Sequence, residues 1–298
     1  MYQTLLYYKY AHLSDAEEIA PKHLKFCQDL GLVGRIIIAT EGLNGTVSGT
    51  TEQCEAYMNY IESDSRLKNM HWKIDEVIEP SFSKMHCRYK PEIVHSGLLE
   101  AVSPLELTGV HLEPEDFKNM KDRDDVIVLD VRSNYEHQLG RFKNAVTLDI
   151  DNFREFPDKI KELEQYKDKK VLTYCTGGIK CEKASAFLLK QGFKDVYQLH
   201  GGIINYGKEA GGYDFEGDCY VFDNRVHVPV NSVNPKVISN CLNCGHITSR
   251  MVNCANPQCN EHFVQCENCS ADLKGNCSHQ CSMSASVRPY NEKGYYQK

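Results

Sequence analysis

The segment VLTYCTGGIKCEKA (residues 171–184) joins a reactive side chain to a backbone that can activate it. Cys175 ends an apolar run with the pattern of a buried strand, Gly177 and Gly178 follow, and good helix formers begin directly afterwards. In open α/β sheets, ligands collect beyond the carboxyl ends of the strands, where the free N–H groups of a helix start stabilise an anion. A thiolate or persulfide on Cys175 is such an anion, and the glycines let the backbone wrap the sulfur closely. Cys175 is therefore the expected nucleophile, with Thr176, Gly177, Gly178, Ile179 and Lys180 as its loop cradle. The competing reading, a structural cysteine at a strand end, leaves the paired glycines unexplained.

A second constellation fills the tail. Of the chain's fourteen cysteines, eight fall as Cys241-x2-Cys244, Cys254-x4-Cys259, Cys266-x2-Cys269 and Cys277-x3-Cys281. Close pairs place two sulfurs on one knuckle, and two knuckles close a tetrahedron around zinc, so eight thiolates suit two four-cysteine sites. Neighbouring pairs or interleaved pairs satisfy the spacing equally well, and His246, His262 or His279 offers a substitute ligand. Closed sites of this kind are structural, and a segment too polar to bury a core folds on its metal. Free thiols or disulfides are the alternative.

Elements must position both constellations. At 298 residues, with 41% hydrophobic and 25% charged residues, the chain has the composition of a soluble globular protein of two or three domains. The start lacks a basic, then apolar, signal pattern, and no apolar stretch is long enough for a membrane span, so a cytoplasmic protein with reduced thiols is expected. The net charge of -7 excludes a general positive coat and leaves only a local patch for any nucleic acid.

Hydrophobic periodicity predicts a strand over Thr4–Tyr10, a helix over Asp15–Leu30, and two strands within Gly34–Ser48 around the turn TEGLNG. A helix over Thr51–Ser63 and a strand over His71–Ile78 complete a ferredoxin-like order, and Met85–Val94 adds a strand-like segment. Polar text from Glu100 to Asp125 reads as a linker followed by early helical turns. Strands over Val126–Val131, Lys170–Cys175 and Val196–Leu199 alternate with helices over Ile160–Tyr166 and Cys181–Gln191, which implies a parallel sheet. Beyond Gly212 helix signals fade. The expected fold class is α/β: a ferredoxin-like α+β domain (1–98), a domain with a parallel sheet (99–212) and a cysteine-rich, zinc-binding region (213–298).

Asp130-Val131-Arg132, Tyr135-Glu136, Gly140 and Ala145, together with Cys175, resemble the pattern of the rhodanese family over roughly Pro104–Gly211. Asp130 and Arg132 are expected to support the loop or to form a structural ion pair. Dual-specificity phosphatases of the same fold need an arginine six residues after the cysteine to grip phosphate bidentately, and Cys181 stands there instead. Cys181 is either a resolving thiol for a modified Cys175 or a packing residue.

The strings CTGGIKCEKA, ATEGLNGT, MHCRYKPEIV and YVFDNRV together resemble the tRNA uridine hydroxylase family across most of the chain. That resemblance implies oxygen-dependent conversion of the wobble uridine of certain tRNAs to 5-hydroxyuridine, with Cys175 required; Lys180 stands where many members carry arginine. The partners implied are tRNA and molecular oxygen. On the strand around Lys84–Lys90, Lys84, His86, Arg88 and Lys90 alternate to one face, a candidate phosphate-contacting strip, while Tyr89 is a candidate base-stacking ring. The residues alone also allow a sulfurtransferase working through a Cys175 persulfide, or an RNA-binding zinc-knuckle protein. There is no haem-attachment motif and no G-x-G-x-x-G after a strand, so the redox cofactor and the electron donor are left open.

Overall fold

A computed structural model describes residues 1–98 and 102–296. The expected boundary after residue 98 adjoins, and the expected linker start at Glu100 falls among, residues outside that set.

The first sheet contains β1 (Tyr2–Tyr10), β2 (Val33–Ala39), β3 (Gly42–Thr50), β4 (Lys73–Val77) and β5 (Met85–Tyr89), in the order β4-β1-β3-β2-β5. Helices α1 (Ala16–Asp29) and α2 (Thr51–Ser63) provide the crossovers, and Thr50 with Gln53 closes a capping box at the start of α2. The pairings among β1 to β4 are all antiparallel, as the ferredoxin-like order requires, and the added strand β5 runs parallel to β2. Because strand side chains alternate, Leu5, Tyr7, Ile36, Ile38, Val47 and Cys87 form the core under the helices. Leu6, Tyr8, Thr46, Arg35 and Lys73 are cross-strand neighbours on the opposite face. The TEGLNG turn is shorter than its sequence suggests: only Thr40 and Glu41 turn, and Gly42 to Gly45 already belong to β3.

The second sheet is wholly parallel, in the order β6-β11-β10-β7-β9, from β6 (Val110–Leu112), β7 (Val126–Asp130), β9 (Val146–Thr147), β10 (Lys170–Tyr174) and β11 (Asp195–Leu199). A short strand β8 (Gly140–Phe142) pairs instead with β12 (Phe215–Gly217). The helices here are α3 (Pro114–Met120), α4 (Asn134–Leu139), α5 (Ile160–Leu163), α6 (Ile179–Lys190) and α7 (Gly202–Ala210). The helix expected over Ile160–Tyr166 is α only to Leu163, with 3-10 turns on either side. Helix α6 begins two residues before its expected start, which places Ile179 and Lys180 in the first turn beside the Cys175 sulfur.

The tail is not helix-free. Strands β13 (Cys219–Tyr220) and β14 (His227–Val228) pair, β15 (Met251–Asn253) and β16 (His262–Val264) form a hairpin, and short helices α8 (Glu267–Asp272) and α9 (His279–Ser282) follow. Metal-ligand spacing rather than hydrophobic periodicity shapes those two helices. No helix among the described residues is long and apolar enough to cross a membrane.

The two sheets meet through α6. Lys183, only 2% exposed, bonds Glu41 at 2.9 Å and Glu92 at 2.6 Å, and Tyr8 donates its hydroxyl to Glu182 at 3.0 Å. On the far side Arg225 bonds Asp223 and reaches Asp75 of β4 at 2.9 Å. An ammonium buried between two carboxylates leaves both uncompensated if it is removed. Lys183→Met should therefore cost about 3 kcal/mol, and denaturant titrations followed by the fluorescence of Trp72 and by circular dichroism should no longer coincide, because the two sheets uncouple.

Candidate functional site

Cys175 follows β10 at the mouth of the parallel sheet, where β7 and β10 run side by side up to Asp130 and Tyr174. Its side chain is covered, with the residue 1% exposed. Burial by itself pushes the thiol up, but a hydrogen bond from the Cys181 thiol, the Lys180 charge, and the backbone N–H groups of Cys181 and Lys180 together outweigh it and draw Cys175 down to about 6. The Gly178 N–H adds a bond to the sulfur at 3.2 Å. Cys181 moves the opposite way, raised by burial and by its neighbouring sulfur, so the pair holds one negative charge on Cys175 and one proton on Cys181.

Two glycines make the cradle possible. Gly178 takes φ of 101°, a left-handed conformation that turns its N–H toward the sulfur. Gly202, at the start of α7, comes so close to the loop that a Cβ there would lie 2.5 Å from the Cys175 carbonyl oxygen. The loop carbonyls of Cys175 and Thr176 accept instead from Ile203 and Ile204 of α7. A helix absent from the sequence expectations thus fixes the back of the loop.

Asp130 and Arg132 form a fully buried bidentate pair at 2.9 and 2.7 Å, extended by the Tyr174 hydroxyl to Asp130 and by Arg132 to the Gly140 carbonyl. The pair braces the ends of β7 and β10 and does not touch the sulfur cradle. Glu136, also fully buried, caps α4 through Ser133 and accepts from Lys180 at 2.6 Å. Lys180 therefore carries its charge to the sulfur's edge while anchored to Glu136, and its ammonium lies 5.6 Å from the centre of the Phe222 ring.

The first sheet closes over this loop. A Cβ on Gly177 would touch Leu6 of β1, and one on Gly178 would lie 2.9 Å from the Tyr8 hydroxyl. A slot of about 30 Å³ walled by Leu6, Thr46, Val221 and Phe222 reaches Thr176 between the two units. Phe222, 45% exposed, is the aromatic ring at its rim.

The basic strip is where the alternation placed it. Lys84, His86, Arg88 and Lys90 are exposed, and β5 is an edge strand. The β2–β5 register sets Arg35 beside His86 and Ile37 beside Arg88, on the same face as Leu6 and Tyr8. One sheet face thus runs from the Cys175 loop to a solvated row of cations. Tyr89 points to the other face, and Phe222 is the aromatic next to the loop. Arg35, Tyr8 and Phe222 were not singled out from sequence; the alternation within β1 and β2 carried the signal for the first two.

In the tail, Cys241, Cys244, Cys266 and Cys269 bring their sulfurs within 4.8 Å of one another, and Cys254, Cys259, Cys277 and Cys281 do the same. The pairs are interleaved, first with third and second with fourth. A tetrahedron with metal–sulfur bonds of about 2.3 Å has an edge of about 3.8 Å, and the sulfurs lie 3.7 Å apart for Cys244 and Cys266, 3.8 Å for Cys259 and Cys277, and 3.5 Å for Cys277 and Cys281. Both quartets therefore fit a metal ion. Neither His246, His262 nor His279 belongs to a quartet, and His262 bonds the Tyr220 hydroxyl at 3.1 Å.

Three family models match the chain: a UPF0176 acylphosphatase-like domain over residues 2–93, a rhodanese-like domain over 113–209 and a rhodanase C-terminal region over 216–282. A tRNA uridine(34) hydroxylase of Cytophaga hutchinsonii is 61% identical over 297 residues, covering 100% of this chain and 95% of that protein. The proteins of the same name from Bacillus licheniformis and Enterococcus faecalis are 48% and 49% identical, covering 94% and 96% of this chain and 88% and 92% of theirs. Among solved structures, a rhodanese-related protein of Thermoplasma volcanium is 29% identical over 36% of this chain and 96% of its own, with a TM-score of 0.30.

Three outcomes follow from the geometry. Modification of Cys175 by a small methanethiosulfonate should quicken about tenfold per pH unit below about 6 and level off above it, because only the thiolate reacts. Lys180→Gln keeps a donor for Glu136 but removes the charge that lowers the thiol, so the midpoint read by mass spectrometry should move upward. Elemental analysis of the purified chain should give two metal equivalents, falling to one or fewer in Cys244→Ser or Cys259→Ser, with loss of the tail's structure.

Proposed function

From the premise that this chain belongs to the tRNA uridine(34) hydroxylase family, we propose that it hydroxylates the wobble uridine of tRNA to 5-hydroxyuridine with the Cys175 thiolate as its reacting group. The observation that carries the reading is the cradle: a sulfur held anionic near neutral pH at the meeting point of two folded units, on the sheet face that also bears the basic strip. The division of labour follows the three parts of the chain. Residues 1–98 present Lys84, His86, Arg88 and Lys90, joined by Arg35, to the phosphates of the anticodon arm. Residues 99–212 carry Cys175, with Thr176 to Lys180 around it and Asp130 and Arg132 bracing from behind. Residues 213–298 hold two structural zinc ions and supply Phe222 as a stacking ring beside the loop.

A base reacting at its ring carbon has to leave the anticodon stack, and the Phe222 ring and the Lys180 charge at the mouth of the slot offer it a stacking surface and a cation. Molecular oxygen is the co-substrate. Placing one of its atoms on the ring and releasing the other as water consumes two electrons and two protons, so a reductant takes part. Cys181, whose thiol donates a hydrogen bond to the Cys175 sulfur, holds the proton that keeps the reactive sulfur charged, and it is the thiol nearest at hand to resolve an oxidised Cys175. The reaction takes place in the cytoplasm, where tRNA and reduced thiols coexist.

Wobble nucleosides from cells lacking the protein decide the matter. Wild type should restore 5-hydroxyuridine, and Cys175→Ser should lower it by about 100-fold or more. Restoration by the serine variant would reduce the chain to a binding protein. Unchanged hydroxylation together with lost sulfur transfer from thiosulfate would make it a sulfurtransferase.

A further inference from the structure

A second cavity, of about 260 Å³, lies between the two sheets and is lined in part by Tyr8, with no wall residue in common with the slot beside Thr176. Into it projects Lys73 of β4, which is 3% exposed. Among the described residues no hydrogen bond or ion pair reaches its ammonium; its near neighbour is the Tyr8 ring, 5.1 Å from the nitrogen to the ring centre. Burial draws Lys73 down to about 8, with Cys175 and Glu182 acting in the opposite sense, so most of it is charged at neutral pH. A buried charge with no partner is costly, and the protein accepts this cost at the wall of an open cavity.

The other polar groups of the wall are arranged around that charge. His71 bonds His200 at 3.1 Å, and His200 bonds Glu113 at 2.7 Å, which leaves the Nε2 of His71 uncommitted. His111 bonds Glu182 at 2.9 Å through Nε2, which leaves its Nδ1 uncommitted. Glu182 itself is saturated: besides His111 it accepts from Tyr8, Thr108 and Gln198, so its charge is spent within the wall. The free capacity is one ammonium and two imidazole nitrogens, from three different elements.

We propose that this cavity is a binding site for a phosphate group carried on a small organic body, with Lys73 as its counter-ion, His111 as a flanking donor and His71 as part of the polar wall. Donors converging from β4 and β6 suit a phosphate group, and the His111 imidazole gains a proton as such an anion enters. The volume exceeds that of a bare phosphate, and Tyr10, Pro104 and Leu105 give the organic body an apolar wall. The phosphate comes either from the backbone of the RNA substrate or from a free phosphate ester. The site itself does not depend on the proposed reaction; only the RNA source rests on that reading.

The test uses the full chain and three probes: inorganic phosphate, uridine 5′-monophosphate and uridine. Calorimetry should show the monophosphate binding at least about tenfold more tightly than uridine, and Lys73→Met should lower its affinity by about tenfold or more while Lys73→Arg retains most of it. Equal affinities for nucleotide and nucleoside, or full affinity in a folded Lys73→Met, would overturn the proposal. A wild-type readout covers the case in which the variant does not fold: reductive methylation of Lys73 by formaldehyde, followed by mass spectrometry, should slow several-fold with the monophosphate and with millimolar inorganic phosphate. No protection by either would also overturn it. An anticodon stem-loop that displaces the monophosphate identifies the source as the RNA strand; simultaneous binding identifies a free ester. Either result is read independently of whether 5-hydroxyuridine forms, so failure of the site and failure of the proposed reaction are separate outcomes.

Discussion

A negative charge kept on a sulfur that water hardly touches is the constraint around which this molecule is arranged. Desolvation opposes the charge, so every stabilising group has to be fixed in advance: the N–H groups of Gly178, Lys180 and Cys181, the second thiol and one ammonium. Each of these has its own support. Gly178 is held in a left-handed turn, the loop carbonyls are tied to α7, and Lys180 is anchored to a carboxylate that also caps α4. The buried Asp130–Arg132 pair belongs to this scaffold, because it locks the strand ends from which the loop departs.

Helix α6 turns that local arrangement into a relation between domains. Its first two turns point Lys180 to Glu136, Cys181 to Cys175, Glu182 to Tyr8 and Lys183 to Glu41 and Glu92. Glu41 comes from the β2–β3 hairpin, Glu92 follows β5, and Arg225 completes the enclosure by joining the segment after β13 to Asp75. The sheet that carries the cations on its edge therefore has a fixed distance to the thiolate, as recognition of a stretched RNA strand and chemistry on one of its bases would both need.

What could be read beforehand was whatever repeats locally. Alternation gave the strands of the first sheet and the face of Lys84, His86, Arg88 and Lys90, and the glycine-flanked cysteine gave the loop. The four strings ATEGLNGT, MHCRYKPEIV, CTGGIKCEKA and YVFDNRV stood out in the sequence and proved to be the segments that meet around α6. Helix α7 escaped because it is short, opens with glycine and has only Lys208 and Glu209 exposed at its end, too little for a recognisable period. Strand β6 is three residues in polar text and owes its existence to pairing with β11. The pairing of the cysteine knuckles was undetermined because spacing is identical for neighbouring and interleaved arrangements. The cavity around Lys73 was invisible for another reason: residues 8, 73, 111 and 182 are brought together only by the docking of two sheets.

The interleaving in the tail also carries a consequence for durability. Since the chain visits the two quartets alternately, neither quartet is closed by a stretch free of the other's cysteines, and the two are bound into one unit. The hairpin between them packs Met251 and Val264 against Leu139 and Tyr220, and the Tyr220 carbonyl accepts the hydroxyl of Thr176 beside the reactive sulfur. Cys244 is the exposed member of its quartet. The sulfur of the tail most open to solvent thus belongs to a unit whose hairpin also backs the strand that holds Thr176, so the outermost cysteine and the innermost one share a single mechanical frame.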